Sequence, residues 1–109
     1  MENKVISDCL DKLNSLRIEK WAYHKFERIV NDILTEINAL MRASVNNDEK
    51  QKFLGIYGAV SHTLDKEVQF IKFKEDEMKK KNTAKIRFAE HSELVSKAYD
   101  MIRLDILSL

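Results

Sequence analysis

The length, composition and charge of this chain exclude several classes of protein at the outset. Its 109 residues are 34% charged and 44% apolar or aromatic, proportions that are typical of one soluble domain, here residues 1–109. The 19 basic and 18 acidic side chains leave a formal net charge of +1, which gives no general attraction for nucleic acid or anionic lipid. No apolar run approaches the roughly 20 residues of a membrane span.

The first residues and the cysteine content favour a cytoplasmic protein. The opening stretch, MENKVISDCLDKL, places acidic side chains between short apolar stretches and lacks the continuous apolar run of a signal peptide. Cys9 is the only cysteine, so no disulfide can form within the chain. It lies on an apolar helix face, where a free cysteine is usually a small buried hydrophobe rather than a reactive thiol.

The scarcity of turn-forming residues predicts an all-α protein. The chain has no proline and two glycines, which removes the usual signals of hairpins and loops. We therefore expect an antiparallel helical bundle of three long helices, or four if the first helix breaks near Asn14, with seams of the coiled-coil type. A helix of about 30 residues would be about 45 Å long, more than a compact core of this size needs, which favours a homo-oligomer.

The first apolar stripe changes phase partway along the chain. Its early members, Ile6, Leu10 and Leu13, repeat at helical spacing, but the later members follow in a different phase. The mismatch falls across residues 14–21. Either the helix breaks there, with Ser15 as the N-cap of the next helix, or it continues through a stutter. The later stripe consists of Phe26, Val30, Ile33, Ile37 and Leu40.

The segment SVNND, residues 44–48, predicts the start of a second long helix. Asp48 and Gln51 have the spacing of a capping box, and Glu49 adds negative charge at the positive end of the helix dipole. Gly55 and Gly58 disfavour the helix that contains them, so we expect a neighbouring helix to approach closely there or the helix to bend. Its apolar face comprises Phe53, Tyr57, Val60, Leu64, Val68 and Ile71 and extends to Met78.

The basic stretch KEDEMKKKNTAKIRF, residues 74–88, has two interpretations. As a helix junction, its lysines oppose the dipole of the ending helix and Thr83 caps the next one. As a nucleic-acid contact, the segment from Lys72 to Arg87 would present seven basic side chains, although three consecutive acidic residues dilute them. We favour the junction. The nucleic-acid candidates are Lys79, Lys80, Lys81, Lys85 and Arg87.

The histidines are candidates for two roles, as core residues and as metal ligands. His91 falls on the apolar face of the last helix, which predicts a hydrogen-bonded histidine in the core or at an interface, with a partner on another helix. His24 and His62 each precede an acidic residue by three positions, but carboxylate-bridged di-metal bundles use the reverse order. We therefore expect no metal site and no cofactor. The face of the last helix contains Phe88, His91, Val95, Ala98, Ile102 and Ile106.

One pair of residues suggests an enzyme. Arg17 and His24, in RIEKWAYH, have six residues between them. This spacing resembles the motif of the HEPN ribonucleases, small helical bundles whose active site forms across a dimer. The resemblance implies that His24 would move protons at the 2′-hydroxyl of RNA while Arg17 stabilises the phosphorane. Ile18 departs from the polar residue that commonly follows the Arg in that family.

A second resemblance concerns the last helix. The segment KIRFAEHSELV is similar to the entry of the last helix in the four-helix immunity proteins of Gram-positive bacteriocin producers. Those proteins share the size and the lysine excess of this chain. The resemblance implies an antiparallel helical bundle.

Our first hypothesis for function is binding to another protein. Trp21, Tyr23 and Phe26 lie close together near the phase break, and Trp and Tyr are residue types that anchor interfaces. We expect a non-enzymatic adaptor, inhibitor or immunity-type regulator that self-associates, of the kind common in phage and plasmid functions. The alternatives are a nucleic-acid-binding protein and a ribonuclease.

Overall fold

The structure is an antiparallel bundle of helices, as the sequence predicts. A computed structural model describes residues 3–81 and 84–108, with side chains described outside positions 81 and 84–88. A 3₁₀ turn, Leu16–Ile18, follows the first helix, and a π-helical turn, Leu64–Val68, joins the third and fourth into one continuous rod. The described residues contain no strand. The helices are α1 (Lys4–Ser15), α2 (Tyr23–Ala43), α3 (Asn47–Thr63), α4 (Gln69–Lys81) and α5 (Ala84–Leu107).

Of the two alternatives for the first apolar stripe, the structure shows the break and not the stutter, so the bundle has four rods. After α1 the chain makes its 3₁₀ turn, in which the Glu19 amide donates to the Leu16 carbonyl oxygen at 3.1 Å. The expectation that Ser15 caps the next helix is wrong. The Ser15 hydroxyl donates back to the Lys12 carbonyl oxygen at 2.7 Å, and α2 begins eight residues later, at Tyr23.

The predicted start of the second long helix is confirmed, but its cap is a different residue. Asn46, with extended backbone dihedrals, accepts hydrogen bonds from the amides of Asp48 and Glu49 at 2.8 and 3.4 Å. The capping box of Asp48 and Gln51 is therefore wrong, because Asp48 already lies within α3. Both acidic residues still lie in the first turn, where their charge opposes the helix dipole.

The π-helical turn keeps two apolar stripes on the same side of one rod. The buried residues of α3 end at Thr63, and the next buried residue, Val68, follows five positions later. A five-residue step would rotate the stripe away from the core in an α-helix, but hydrogen bonds from residue i to i+5 make a wider turn. Both stripes therefore face the core. Tyr57 and Leu64, expected on this face, are only partly buried.

The rod formed by α3, the π turn and α4 determines the length of the molecule. Its 35 residues, 47–81, would extend about 52 Å as a helix, and the longest dimension of the bundle is 52 Å. The radius of gyration, 15.1 Å, exceeds the roughly 13 Å of a compact domain of this size. The bundle is therefore elongated. None of its described helices combines the length and apolar character needed to cross a membrane.

The two glycines of α3 face open space. The expectation of a closely approaching helix is wrong, because a methyl group built at Gly55 or Gly58 would meet no other group within 4 Å. Both positions are exposed and helical. Each glycine therefore lowers the stability of α3 without a packing role.

Replacing either glycine by alanine should stabilise the protein. We expect Gly55→Ala and Gly58→Ala each to raise the free energy of unfolding by about 0.5–1 kcal/mol, because alanine loses less backbone entropy in a helix. Urea denaturation followed by circular dichroism measures this change. Ala39→Gly, at an exposed position of α2, is the matched control and should destabilise by a similar amount. A loss of stability in either alanine variant would contradict the open environment of these glycines.

Candidate functional site

The first turn of α2 is capped by a side chain from a distant helix. Ala22 occupies the N-cap position and has no polar side chain, yet it is fully buried, so its amide cannot reach water. Glu75 of α4 supplies the acceptor. One of its carboxylate oxygens accepts from the Ala22 amide, and the Tyr23 amide donates to both oxygens at 3.1 and 3.2 Å. A negative charge at this end also opposes the helix dipole.

The same carboxylate binds the buried histidine of α5. His91 has no exposed surface, and its Nε2 lies 3.0 Å from Glu75 Oε1. Since the carboxylate oxygen accepts, the imidazole Nε2 donates. The prediction of a buried, hydrogen-bonded His91 is confirmed, and its partner belongs to α4. Glu75 itself was missed as a core residue, although its spacing from Ile71 and Met78 places it on the apolar stripe.

An exposed tryptophan with two lysines lies next to this buried cluster. Trp21 is 41% exposed, and the ammonium groups of Lys79 and Lys20 lie 5.1 and 5.9 Å from the centre of its ring. These distances are within the range of cation–π attraction. We call Trp21, Lys20 and Lys79 the Trp21 surface. It brings together Trp21, a candidate for protein binding, and Lys79, a candidate for nucleic-acid binding.

The other two aromatic candidates belong to the core. Phe26 is fully buried and Tyr23 is 8% exposed, so Trp21 alone of the three offers a broad surface to a partner. The Tyr23 hydroxyl donates to Glu27, and this hydrogen bond, together with burial, raises the pKa of Tyr23. Lys72 lies over the Tyr23 ring, with its ammonium 5.8 Å from the ring centre.

The remaining basic candidates are only partly described. Lys80 is exposed on α4. The side chains of Lys81, Lys85 and Arg87 lie outside the described residues, as does Thr83, the predicted cap of α5. α4 is described as far as Lys81 and α5 from Ala84, so the centre of the predicted junction lies outside the described residues.

Arg17 and His24 contact different parts of the bundle. The Arg17 guanidinium carbon lies 5.7 Å from the ring centre of Tyr99 in α5, and its carbonyl oxygen accepts from the Ser92 hydroxyl at 2.8 Å. His24 is exposed and packs edge-on against Tyr23, with ring centres 5.1 Å apart. The ribonuclease hypothesis stays a prediction.

That hypothesis has a direct test. If His24 moves protons in RNA cleavage, His24→Ala should abolish cleavage of single-stranded RNA while the helical content stays unchanged. Cleavage is measured by gel electrophoresis of labelled RNA, with His62→Ala, another exposed histidine, as the control. Cleavage that survives in the His24 variant would contradict the assignment.

The remaining reactive groups are the Cys9 thiol and the side chains of the types that bind metals. Cys9 is 6% exposed, and burial, with a contribution from the charge of Asp32, raises the pKa of its thiol. A thiol in this state is a poor nucleophile, in keeping with the structural role predicted for it. Within residues 3–81 and 84–108, no three His, Cys, Asp or Glu side chains are grouped as metal ligands.

Comparison with known proteins identifies no relative of this chain. No family model matches it, and no curated protein or solved structure shows significant similarity to it.

The hydrogen bonds that Glu75 accepts from Ala22, Tyr23 and His91, here called the Glu75 cluster, should contribute strongly to stability. We expect Glu75→Ala to lower the free energy of unfolding by about 3–5 kcal/mol, because it leaves two buried amides and His91 Nε2 without their shared acceptor. Glu75→Gln keeps an oxygen acceptor and should cost less. Urea denaturation measures both changes.

The neighbouring exposed acid provides the matched control for this series. Asp76→Ala should change the stability by no more than about 0.5 kcal/mol. A Glu75→Ala protein as stable as the Asp76→Ala protein would show that water replaces the carboxylate and that the cluster does not hold the helices together.

Proposed function

We propose that this protein is a small, non-enzymatic helical interaction protein that binds another protein through the Trp21 surface. It would act as an adaptor, an inhibitor or an immunity-type regulator. The observation that supports this function is the exposure of Trp21 beside Ala22, Tyr23 and Phe26, which are all buried. A large aromatic side chain held at the surface of a well-packed helix start is typical of an interface anchor.

The ordered backbone next to Trp21 favours tight binding of a protein partner. The adjacent residues, Ala22 and Tyr23, are held by the Glu75 carboxylate, so the backbone next to Trp21 is already ordered before a partner arrives. A preorganised anchor loses less conformational entropy on binding. Lys20 and Lys79 add positive charge at the ring. The surface therefore suits an apolar side chain flanked by carboxylates.

Nucleic-acid binding is the second candidate, and the same residues support it. An aromatic ring between lysines could stack on a base while the ammonium groups contact phosphates. The charges nearby are mixed, however, because Glu19 directly precedes Lys20 and Asp76 precedes Lys79 by three residues, within one turn of α4. Glu19 is also paired with Lys25 at 2.7 Å. This mixture of signs favours a protein partner over a polyanion.

Substitution of Trp21 tests the proposed function. We expect affinity capture from the producing cells to retain a partner on the wild-type protein and to lose it with Trp21→Ala. With that partner purified, calorimetry should show a dissociation constant raised about tenfold or more, as for an interface anchor. Leu104→Ala removes an apolar side chain that is 63% exposed on α5 and is the matched control.

Two outcomes would contradict protein binding through this surface. One is a partner that binds the Trp21→Ala and wild-type proteins equally well. The other is an affinity for RNA or DNA that falls steeply as salt is raised, with a slope reduced by Lys79→Ala, which would establish the nucleic-acid alternative.

A further inference from the structure

The outward side of α4 exposes two phenylalanines that the bundle core does not use. Phe70 and Phe73 are 57% and 64% exposed. They line an open groove of about 370 Å³, together with Asp65, Lys66 and Gln69. The opposite side of the rod fills the core with Val68, Ile71 and Met78. Soluble domains rarely leave adjacent aromatic side chains exposed in this way unless another molecule covers them.

The charges around the two phenylalanines are arranged symmetrically. Lys66 precedes Phe70 by four residues, Phe73 follows three residues later, and Glu77 follows after four more. Steps of three and four place Phe70, Phe73 and Glu77 on one side of α4, and Lys66, in the π-helical turn, lines the groove beside the two phenylalanines. Read in the opposite direction, the same stripe has the same spacing, with the two charges exchanged.

We propose that a second copy of this chain packs antiparallel against this side of α4 and forms a two-fold symmetric dimer. Phe70 then lies against the partner's Phe73, and Lys66 lies against the partner's Glu77. A two-fold axis between positions 71 and 72 generates each contact twice, as a closed dimer requires. A parallel arrangement would instead place each charge next to its own copy, and like charges repel.

The size of the contact predicts a weak dimer. Positions 66–77 span about 17 Å of helix, which is three turns. One helix side of this length is smaller than the roughly 800 Å² that each partner buries in a standard stable interface. We therefore expect monomer and dimer to exchange, with a dissociation constant in the micromolar range or above. The dimer is independent of the Trp21 surface.

Reversing the charge of Lys66 or of Glu77 tests the register of this dimer. Lys66→Glu places two carboxylates together at both ends of the contact, and Glu77→Lys places two ammonium groups there. Sedimentation equilibrium should show each variant alone dimerising about tenfold or more weakly than wild type. An equimolar mixture of the two should recover most of the wild-type affinity, because each mixed dimer has a Lys–Glu pair at both ends.

Substitutions at the phenylalanine pair and at two control positions test the same contact. Phe73→Ser should weaken the dimer without loss of helical content, whereas Leu104→Ser and Trp21→Ala should leave it unchanged. A protein that stays monomeric at millimolar concentration would overturn the proposal. The proposal would also be overturned if the equimolar mixture of folded charge variants did not recover the wild-type dimerisation affinity, because dimerisation would then use another surface.

Discussion

The carboxylate of Glu75 is the interaction on which the arrangement of α2, α4 and α5 depends. α2 begins inside the protein, where Ala22 and Tyr23 present buried amides that their own side chains cannot satisfy. The carboxylate reaches them from 52 and 53 residues away and also binds His91 of α5. A buried charge is stable only with this many hydrogen bonds, so sliding any of the three helices would leave it unsatisfied.

The π-helical turn is the second constraint, and it determines which residues α4 presents outward. Because the wider turn takes up the five-residue step between Thr63 and Val68, α4 buries Ile71, Glu75 and Met78 on the same side as Val68 of the π turn. Phe70 and Phe73 must then lie on the opposite side. The burial of Glu75, which caps α2, and the exposure of Phe70 and Phe73 therefore both result from the π-helical turn.

The two proposed binding surfaces use different sides of α4. Lys79 lies over Trp21 on the side next to α2, while Phe70 and Phe73 lie on the side away from the core. A two-fold dimer would therefore leave both Trp21 surfaces uncovered and would place them toward opposite ends of the paired rods. Two such surfaces on one particle could bind a partner with repeated sites more tightly than either could alone.

The sequence by itself determined the all-α class, the start of α3 and the burial of His91, and it left open whether the first helix breaks. Each of these follows from local signals, because helical spacing and the absence of proline act within a few turns. Local signals do not show that Trp21 is exposed while Tyr23 and Phe26 are buried, since all three lie near the phase break.

Only the tertiary structure decided how these residues are paired. Spacing shows which residues share a side of a helix, but it does not show which helix covers that side. Glu75 meets the amides of α2 across more than fifty residues of sequence. Phe70 and Phe73 are exposed because none of the helices, as far as the structure describes them, packs on their side. Both outcomes depend on the relative rotation of packed helices, which core packing and the satisfaction of buried polar groups decide together.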